Sequence, residues 1–138
     1  KIIGIKEASG NIEQISEIIR RAPEGFQIVS GDDSLTRRLI GIGAKGVISV
    51  VGNALPALFS RMVHLALADP SSAEAEQIDR SMQPLDKALF AEGNPSGIKC
   101  LLSHLGFGAD ALHLPLVPVM PGPRQAILTA AAPLLPRS

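Results

Sequence analysis

Gly4-Ile5-Lys6-Glu7-Ala8-Ser9-Gly10 is the stretch of sequence that decides the fold. With Ile2 and Ile3 before it, the stretch begins as an apolar run of the kind found in strands buried within parallel sheets. The run ends at a lysine, and Ser9-Gly10-Asn11 then breaks the strand before a helical pattern begins. The stretch therefore predicts the first strand and helix of an α/β fold.

Lys6 stands at the carboxyl end of this strand, although lysine is almost never fully buried without a partner. Removal from water destabilises the ammonium form, and the neutral amine that results is a nucleophile for carbonyl groups. The alternative is a lysine that extends out of the strand end to a carboxylate such as Glu7. Glu7 follows Lys6 directly, so it points to the opposite face of the strand and is interpreted as a structural ion-pair partner.

Two further strand-helix pairs follow the first. Apolar, β-favouring residues predict strands over 26–30 and 46–50, and helical spacing predicts a first helix with Asn11 as its N-cap. The next two helices are predicted over 35–42 and 56–68. This βαβαβα alternation with short loops indicates a parallel sheet with right-handed crossovers.

Strand patterns stop at Asp69, and the rest of the chain is predicted to be helical. Pro84 lies inside the first and longest of these helical patterns, where a kink or a break is expected. The proline-rich segment 114–118 is interpreted as an extended connector. The sequence therefore divides into an α/β region, 1–69, and a helical subdomain, 70–138.

The candidate site residues follow from a rule of parallel α/β folds, whose chemistry gathers at the carboxyl ends of the strands. Those ends carry Lys6, then Gly31, Asp32 and Asp33, then the segment 48–53. Gly31 either lets a ligand approach the backbone or simply serves the turn. Asp32 is a candidate hydrogen-bond partner behind the site, whereas Asp33, or the serine after it, is expected to cap the next helix.

Composition limits the classes of function. The 138 residues carry no net charge, which does not favour binding to nucleic acid or an anionic membrane. No apolar run reaches the roughly 18 residues that a transmembrane helix needs. Cys100 is the only cysteine, which fits a reducing compartment such as the cytoplasm. The three histidines lie far from the predicted strand ends, so no metal site is expected.

Five segments of the chain together carry a resemblance to a known family. They are GIKEASGN (4–11), SGDDSLT (30–36), GAKGVISVVGN (43–53), LFAEGNPSGIK (89–99) and LHLPLVP (112–118). In matching order and similar spacing they resemble the second half of the dihydrodipicolinate synthase family, which belongs to the class I pyruvate-dependent aldolases. The resemblance runs from Lys1 to about Ala126.

The resemblance implies the last three βα units of a TIM (β/α)8 barrel, followed by a C-terminal helical subdomain. It places Lys6 on the sixth strand as the amine that forms a Schiff base with pyruvate. Gly31, on the seventh strand, would line the pocket, and Ile48, on the eighth, would hold pyruvate through its backbone. The second substrate would be aspartate semialdehyde, in lysine (diaminopimelate) biosynthesis. No metal or organic cofactor would be needed, and the full-length enzyme would be a cytoplasmic homotetramer.

The departures from the family are equally informative. A TIM barrel takes about 250 residues in eight βα units, and this chain offers three units and no tyrosine for the family's proton relay. We therefore expect an incomplete part of the enzyme that is inactive when isolated. The alternatives are N-acetylneuraminate lyase or another keto-acid aldolase, or a non-catalytic assembly fragment. Ile12 and Ile42 are expected either to form a subunit interface or to pack their helices on the sheet.

Overall fold

Two short parallel strands and one parallel bridge form the sheet in a computed structural model that describes residues 1–135. Strand β1 (Gly4–Glu7) pairs with β2 (Gln27–Ser30), and Lys6 lies opposite Val29. The third segment joins through a single bridge between Ser30 and Val47. The parallel direction and the chain order of the three segments are therefore confirmed. The last three residues of the predicted helical subdomain, 136–138, lie outside the described range.

The third predicted strand, 46–50, is wrong in its extent. The N–H of Ser30 donates to the carbonyl of Gly46 at 2.8 Å, and the N–H of Ile48 donates to the carbonyl of Ser30 at 2.9 Å. Pairing then ends, because Val50 adopts helical angles (φ −89°, ψ −51°) at the start of a 3₁₀ turn over Val51–Asn53. The segment thus supplies two hydrogen bonds to β2 without becoming a strand of its own.

Six α-helices are present between residues 1 and 135. The predicted helix 56–68 is confirmed to the residue, and the proline-rich segment 114–118 is confirmed as a connector without helix or strand. The helices are α1 (Ile12–Arg21), α2 (Thr36–Gly41), α3 (Pro56–Ala68), α4 (Ala73–Phe90), α5 (Ser96–His104) and α6 (Pro121–Ala131).

The two predicted helix caps have different outcomes. Asn11 caps α1, since its side-chain oxygen accepts the N–H of Gln14 at 3.0 Å. The prediction that Asp33 or the serine after it caps α2 is wrong, because Leu35 is the N-cap and makes no side-chain capping bond. The N–H of Thr36 instead donates to the backbone carbonyl of Asp33 at 3.2 Å, which forms a turn before the helix.

Of the kink or break predicted at Pro84, the break does not occur, because α4 continues through the proline as one helix from Ala73 to Phe90. The kink stays a prediction. Buried residues lie on both sides of the proline, Met82 before it and Leu85 and Leu89 after it. Most helix stability in proteins comes from packing of an apolar face. The buried stripe therefore stabilises the turns that flank Pro84 despite the missing backbone donor.

Contacts divide the chain into two compact units, one of residues 1–49 and 57–80, and the other of 50–56 and the residues from 81 onward. In the first unit Ile12 packs against the core cluster, which favours its packing role, whereas Ile42 is exposed. That cluster is Ile15, Ile28, Leu39 and Ala44. The division of the sequence at residue 69 stays a prediction.

Close helix packing characterises the second unit. A β-carbon at Gly97 would collide with the backbone of Leu89, so the glycine lets α5 approach α4 closely. Leu101 and Ile127 are fully buried in the same unit. No helix among the described residues has the length and apolar character needed to cross a bilayer.

Candidate active site

The candidate site lies in the first unit, at the carboxyl ends of the parallel segments. Lys6 is near the end of β1, Gly31 directly follows β2, and Ile48 ends the bridged segment. Because all three segments run in the same direction, these residues share one end of the sheet. Sequence reasoning therefore predicted their grouping correctly.

Gly31 leaves the space that the Lys6 side chain occupies. A β-carbon at residue 31 would lie 2.7 Å from Cε of Lys6 and 2.6 Å from Cβ of Ala8. Gly31 is not among the glycines with positive φ, so its backbone conformation does not require glycine. Cε of Lys6 is near the end of a flexible side chain and could move aside, whereas Cβ of Ala8 is fixed to the backbone. We conclude that glycine is needed here for the close approach of β1 at Ala8 and not for the turn, and that the lysine stem packs over the space it leaves.

Of the two alternatives for Lys6, this chain shows no burial, because the side chain is exposed. Within residues 1–135 the side chain makes no hydrogen bond or ion pair. The reason is that β1 is an edge strand with β2 as its only neighbour in the described sheet. Ile3 and Ile5 before it are likewise 74% and 41% exposed. Nothing on this edge removes water from the amine.

Glu7 is buried, but the predicted ion pair is wrong. Its carboxylate accepts hydrogen bonds from the hydroxyl of Ser9 at 2.8 Å and from the N–H of Ser9 at 3.2 Å. The Ser9 hydroxyl oxygen in turn accepts the N–H of Asn11 at 3.2 Å. Successive side chains along β1 point to opposite faces, so Glu7 points away from Lys6 and its carboxylate binds Ser9 instead. Glu7 thus stabilises the turn that leads from Lys6 into α1.

Asp32 is held mainly through its backbone. Its N–H donates to the Ser30 side-chain oxygen at 3.1 Å, and its carbonyl accepts the Ser30 hydroxyl at 2.7 Å and the Thr36 hydroxyl at 2.8 Å. The Asp32 carboxylate accepts the hydroxyl of Ser34 at 2.7 Å. It makes no hydrogen bond or ion pair with Lys6 in the described part of the chain. Its carboxylate therefore stabilises its own loop.

Ser30 and Thr36 were missed by sequence reasoning, although they determine the path of this loop. The signal was available, because serine and threonine often bond to backbone groups two to four residues away. Their positions in Ser30-Gly-Asp-Asp-Ser-Leu-Thr36 match that range.

Ile48 contributes a backbone group at the same end of the sheet. Its side chain is 56% exposed, and its N–H already donates a hydrogen bond to the carbonyl of Ser30. Its carbonyl is therefore the backbone group that it can offer to a ligand. No cluster of three or more potential metal ligands occurs among residues 1–135.

The model of the dihydrodipicolinate synthetase family matches residues 1–132 of the chain. The chain belongs to this family. Its similarity to the dihydrodipicolinate synthetase family, predicted from five short segments, is thus confirmed over almost the whole sequence.

Individual relatives support the assignment. A 4-hydroxy-tetrahydrodipicolinate synthase from Azobacteroides pseudotrichonymphae genomovar. CFP2 is 53% identical over 119 residues, which cover 86% of this chain and 40% of that protein. The Thermomicrobium roseum enzyme of the same name is 39% identical over 131 residues, 95% of this chain and 43% of its own length. The chain therefore spans about two fifths of the curated relatives that it matches.

Solved structures of the family have the same fold over this region. Dihydrodipicolinate synthase from Aquifex aeolicus superposes with a TM-score of 0.91 at 34% identity, covering 96% of this chain and 45% of that one. The Thermotoga maritima enzyme gives a TM-score of 0.89 at 33% identity, with 95% and 45% covered. The α/β class predicted from the sequence is confirmed.

Proposed function

We propose that this chain is part of a lyase that condenses pyruvate with aspartate semialdehyde through a Schiff base on Lys6. The observation that carries the proposal is the Lys6 side chain lying across Gly31 at the carboxyl end of a parallel sheet. The curated relatives are named 4-hydroxy-tetrahydrodipicolinate synthase, which favours this acceptor over that of N-acetylneuraminate lyase. The reaction belongs to lysine (diaminopimelate) biosynthesis.

The three parallel segments are proposed to be the last three strands of a TIM barrel, with residues 70–138 as the helical subdomain that follows. TM-scores near 0.9 over less than half of each solved structure support this placement. In a closed barrel the exposed face of β1 would be covered by neighbouring strands, and Lys6 would lose contact with water. Such desolvation favours the neutral amine that attacks a carbonyl.

Each site residue has a chemical role in the proposal. The Lys6 amine attacks the ketone carbon of pyruvate and, with loss of water, forms an iminium ion that accepts electrons from the neighbouring methyl group. Loss of a methyl proton gives an enamine, and its carbon attacks the aldehyde, whose oxygen takes up a proton while the iminium re-forms. Ring closure by the amine of the aspartate semialdehyde part then displaces Lys6 from the iminium carbon and frees it. The Ile48 carbonyl and the backbone at Gly31 contact the pyruvate end, and Asp32 supports the loop between them. Because the iminium is the electron sink, no metal or organic cofactor is required.

The remaining parts of the proposal concern the whole protein. We expect a cytoplasmic homo-oligomer, a tetramer when full length, that binds neither nucleic acid nor membrane. Because Ile12 packs against the core cluster, Ile42 is the candidate for the subunit interface. It is 41% exposed and follows the end of α2. The 138-residue chain alone is expected to be inactive, because three βα units do not enclose Lys6.

Covalent trapping tests the proposal directly. Labelled pyruvate and borohydride are added to the protein expressed from its complete reading frame, and the labelled peptide is identified by mass spectrometry. We expect one adduct, on Lys6, with Lys45 of the same unit as the unlabelled internal control. No adduct, or label spread evenly over the lysines, would contradict the proposal and favour a non-catalytic assembly fragment. Assays with different aldehydes then identify the acceptor.

A further inference from the structure

The stem of the Lys6 side chain lies across the backbone of Gly31. The lysine stem crosses that glycine so closely that a β-carbon there would lie 2.7 Å from Cε. Glycine has the widest conformational freedom of any residue. Something other than the residue itself must therefore keep this segment in place against the lysine.

On its N-terminal side Gly31 is held by the sheet. Its N–H donates to the carbonyl of Glu7 at 2.7 Å, which continues the pairing of β1 with β2. On its C-terminal side the peptide group that joins Gly31 to Asp32 lies beyond β2, so strand pairing no longer restrains it. Rotation of that peptide would change the path through Gly31 and the support for the Lys6 stem.

Two hydroxyl groups hold Asp32 instead. The Ser30 side-chain oxygen accepts the N–H of Asp32 at 3.1 Å, which restrains the peptide that joins Gly31 to Asp32. Both hydroxyls bind the carbonyl of Asp32, in the next peptide. The Ser30 hydroxyl donates to the Asp32 carbonyl at 2.7 Å, and the Thr36 hydroxyl donates to the same oxygen at 2.8 Å. Ser30 is 1% exposed and Thr36 is 0% exposed. Removal of either hydroxyl would therefore deprive the Asp32 carbonyl of a hydrogen bond from a buried donor.

We propose that Ser30 and Thr36 are positioning residues for Lys6. Their hydroxyls hold the Asp32 carbonyl, and this keeps Gly31 at the distance over which the lysine stem packs. The effect on turnover rests on the proposed function, whereas the effect on the lysine's surroundings does not. A role limited to stabilising the start of α2 would change the unfolding temperature and leave the chemistry at Lys6 unaltered.

Matched variants at residue 36 separate these roles. Thr36→Val keeps the shape of the side chain and removes the hydroxyl, whereas Thr36→Ser keeps the hydroxyl. In the protein from the complete reading frame, we expect Thr36→Val and Ser30→Ala each to slow pyruvate trapping on Lys6 by about ten- to a hundredfold, as small misplacements of a reacting group do. Thr36→Ser should react as fast as the unmodified protein.

A second measurement keeps the inference testable without pyruvate. Lysines are reductively methylated with ¹³C-formaldehyde, and the NMR signal of Lys6 is compared between variants, with Lys45 as the internal reference. We expect Thr36→Val to shift the Lys6 signal and leave the Lys45 signal in place. If the unmodified protein traps no pyruvate, the proposed function falls, and a shifted Lys6 signal still supports the positioning role.

Three results would overturn the inference. One is equal slowing of trapping by Thr36→Val and Thr36→Ser, because Thr36→Ser keeps the hydroxyl and its slowing would show that the rate does not depend on the hydroxyl specifically. Another is trapping at the unmodified rate in both Ser30→Ala and Thr36→Val. The third is an unchanged Lys6 signal in folded Thr36→Val, as judged by its unfolding temperature.

Discussion

Strands β1 and β2 are equally long and paired, yet they occupy opposite environments. In β2, Ile28 is 3% and Ser30 is 1% exposed, whereas in β1 Ile5 is 41% exposed and Lys6 is open to solvent. Within the described residues, β2 has a neighbour on each side and the core cluster against one face, but β1 pairs with β2 alone. Burial of a strand is thus a property of its neighbours and not of its apolar pattern. The buried strand supplies the hydroxyl that holds the loop, and the edge strand supplies the amine.

The largest expected effect comes from the exposed strand. In the complete protein Lys6→Ala should abolish turnover and pyruvate trapping, because no amine remains to form the iminium. Lys6→Arg should do the same, since a guanidinium stays charged in proteins. Steady-state kinetics and trapping measure both, with Lys45→Ala as the exposed-lysine control. Substantial turnover by Lys6→Ala would refute the Schiff-base assignment.

Gly31→Ala tests the contact between the two strand ends. The added β-carbon would displace the Lys6 stem and press on Cβ of Ala8, so we expect kcat/KM to fall about ten- to a hundredfold. The overpacking should also lower the free energy of unfolding by about 1–3 kcal/mol. Gly122→Ala is the control, because a β-carbon there meets nothing within 4 Å.

A double variant separates the two consequences of that substitution. Adding Ala8→Gly to Gly31→Ala removes the contact between β-carbons and leaves the one with Lys6. Thermal unfolding should therefore show partial recovery of stability, while kcat/KM stays low. Recovery of both together would mean that strain at the turn, and not displacement of the lysine, causes the loss of activity.

The difference in burial itself can be measured with matched isoleucines. Ile28→Ala should destabilise the protein by about 2–5 kcal/mol, as deletion of a buried side chain does. Ile5→Ala should cost less in the 138-residue chain, since Ile5 is 41% exposed. Urea unfolding gives both values. Equal costs in this chain would show that its β1 is covered, and equal costs only in the complete protein would support barrel closure over β1.

The smallest expected effect concerns Cys100, whose thiol is a nucleophile like the Lys6 amine but is fully buried instead of exposed. Burial raises the pKa of the Cys100 thiol. Because the folded pKa of the thiol is higher than its unfolded pKa, the protein is more stable at a pH below the unfolded pKa than at alkaline pH. This difference in stability is lost as the pH rises through the folded pKa. Stability should therefore decline slightly in the alkaline range, and less so in Cys100→Ala. Rapid alkylation of the folded protein by iodoacetamide would contradict this burial.

Much of this protein was determined by sequence alone, because the relevant signals are local. Asn11 caps α1 through a donor three residues away, and α3 follows its apolar spacing from Pro56 to Ala68. The parallel order of the three segments follows from the lengths of their helical connections. That order is sufficient to bring Lys6, Gly31 and Ile48 to one end of the sheet.

Other features were decided only by tertiary structure, because they depend on atoms distant in the chain. The apolar pattern around Lys6 is the same whether β1 has one neighbour or two, so it could not predict the exposure of the lysine. Pro84 is tolerated because buried residues flank it on both sides. The role of Gly31 became clear only when β1 placed the Lys6 stem across it. Sequence specifies which residues reach the strand ends, and packing decides which of them contact each other and which meet water.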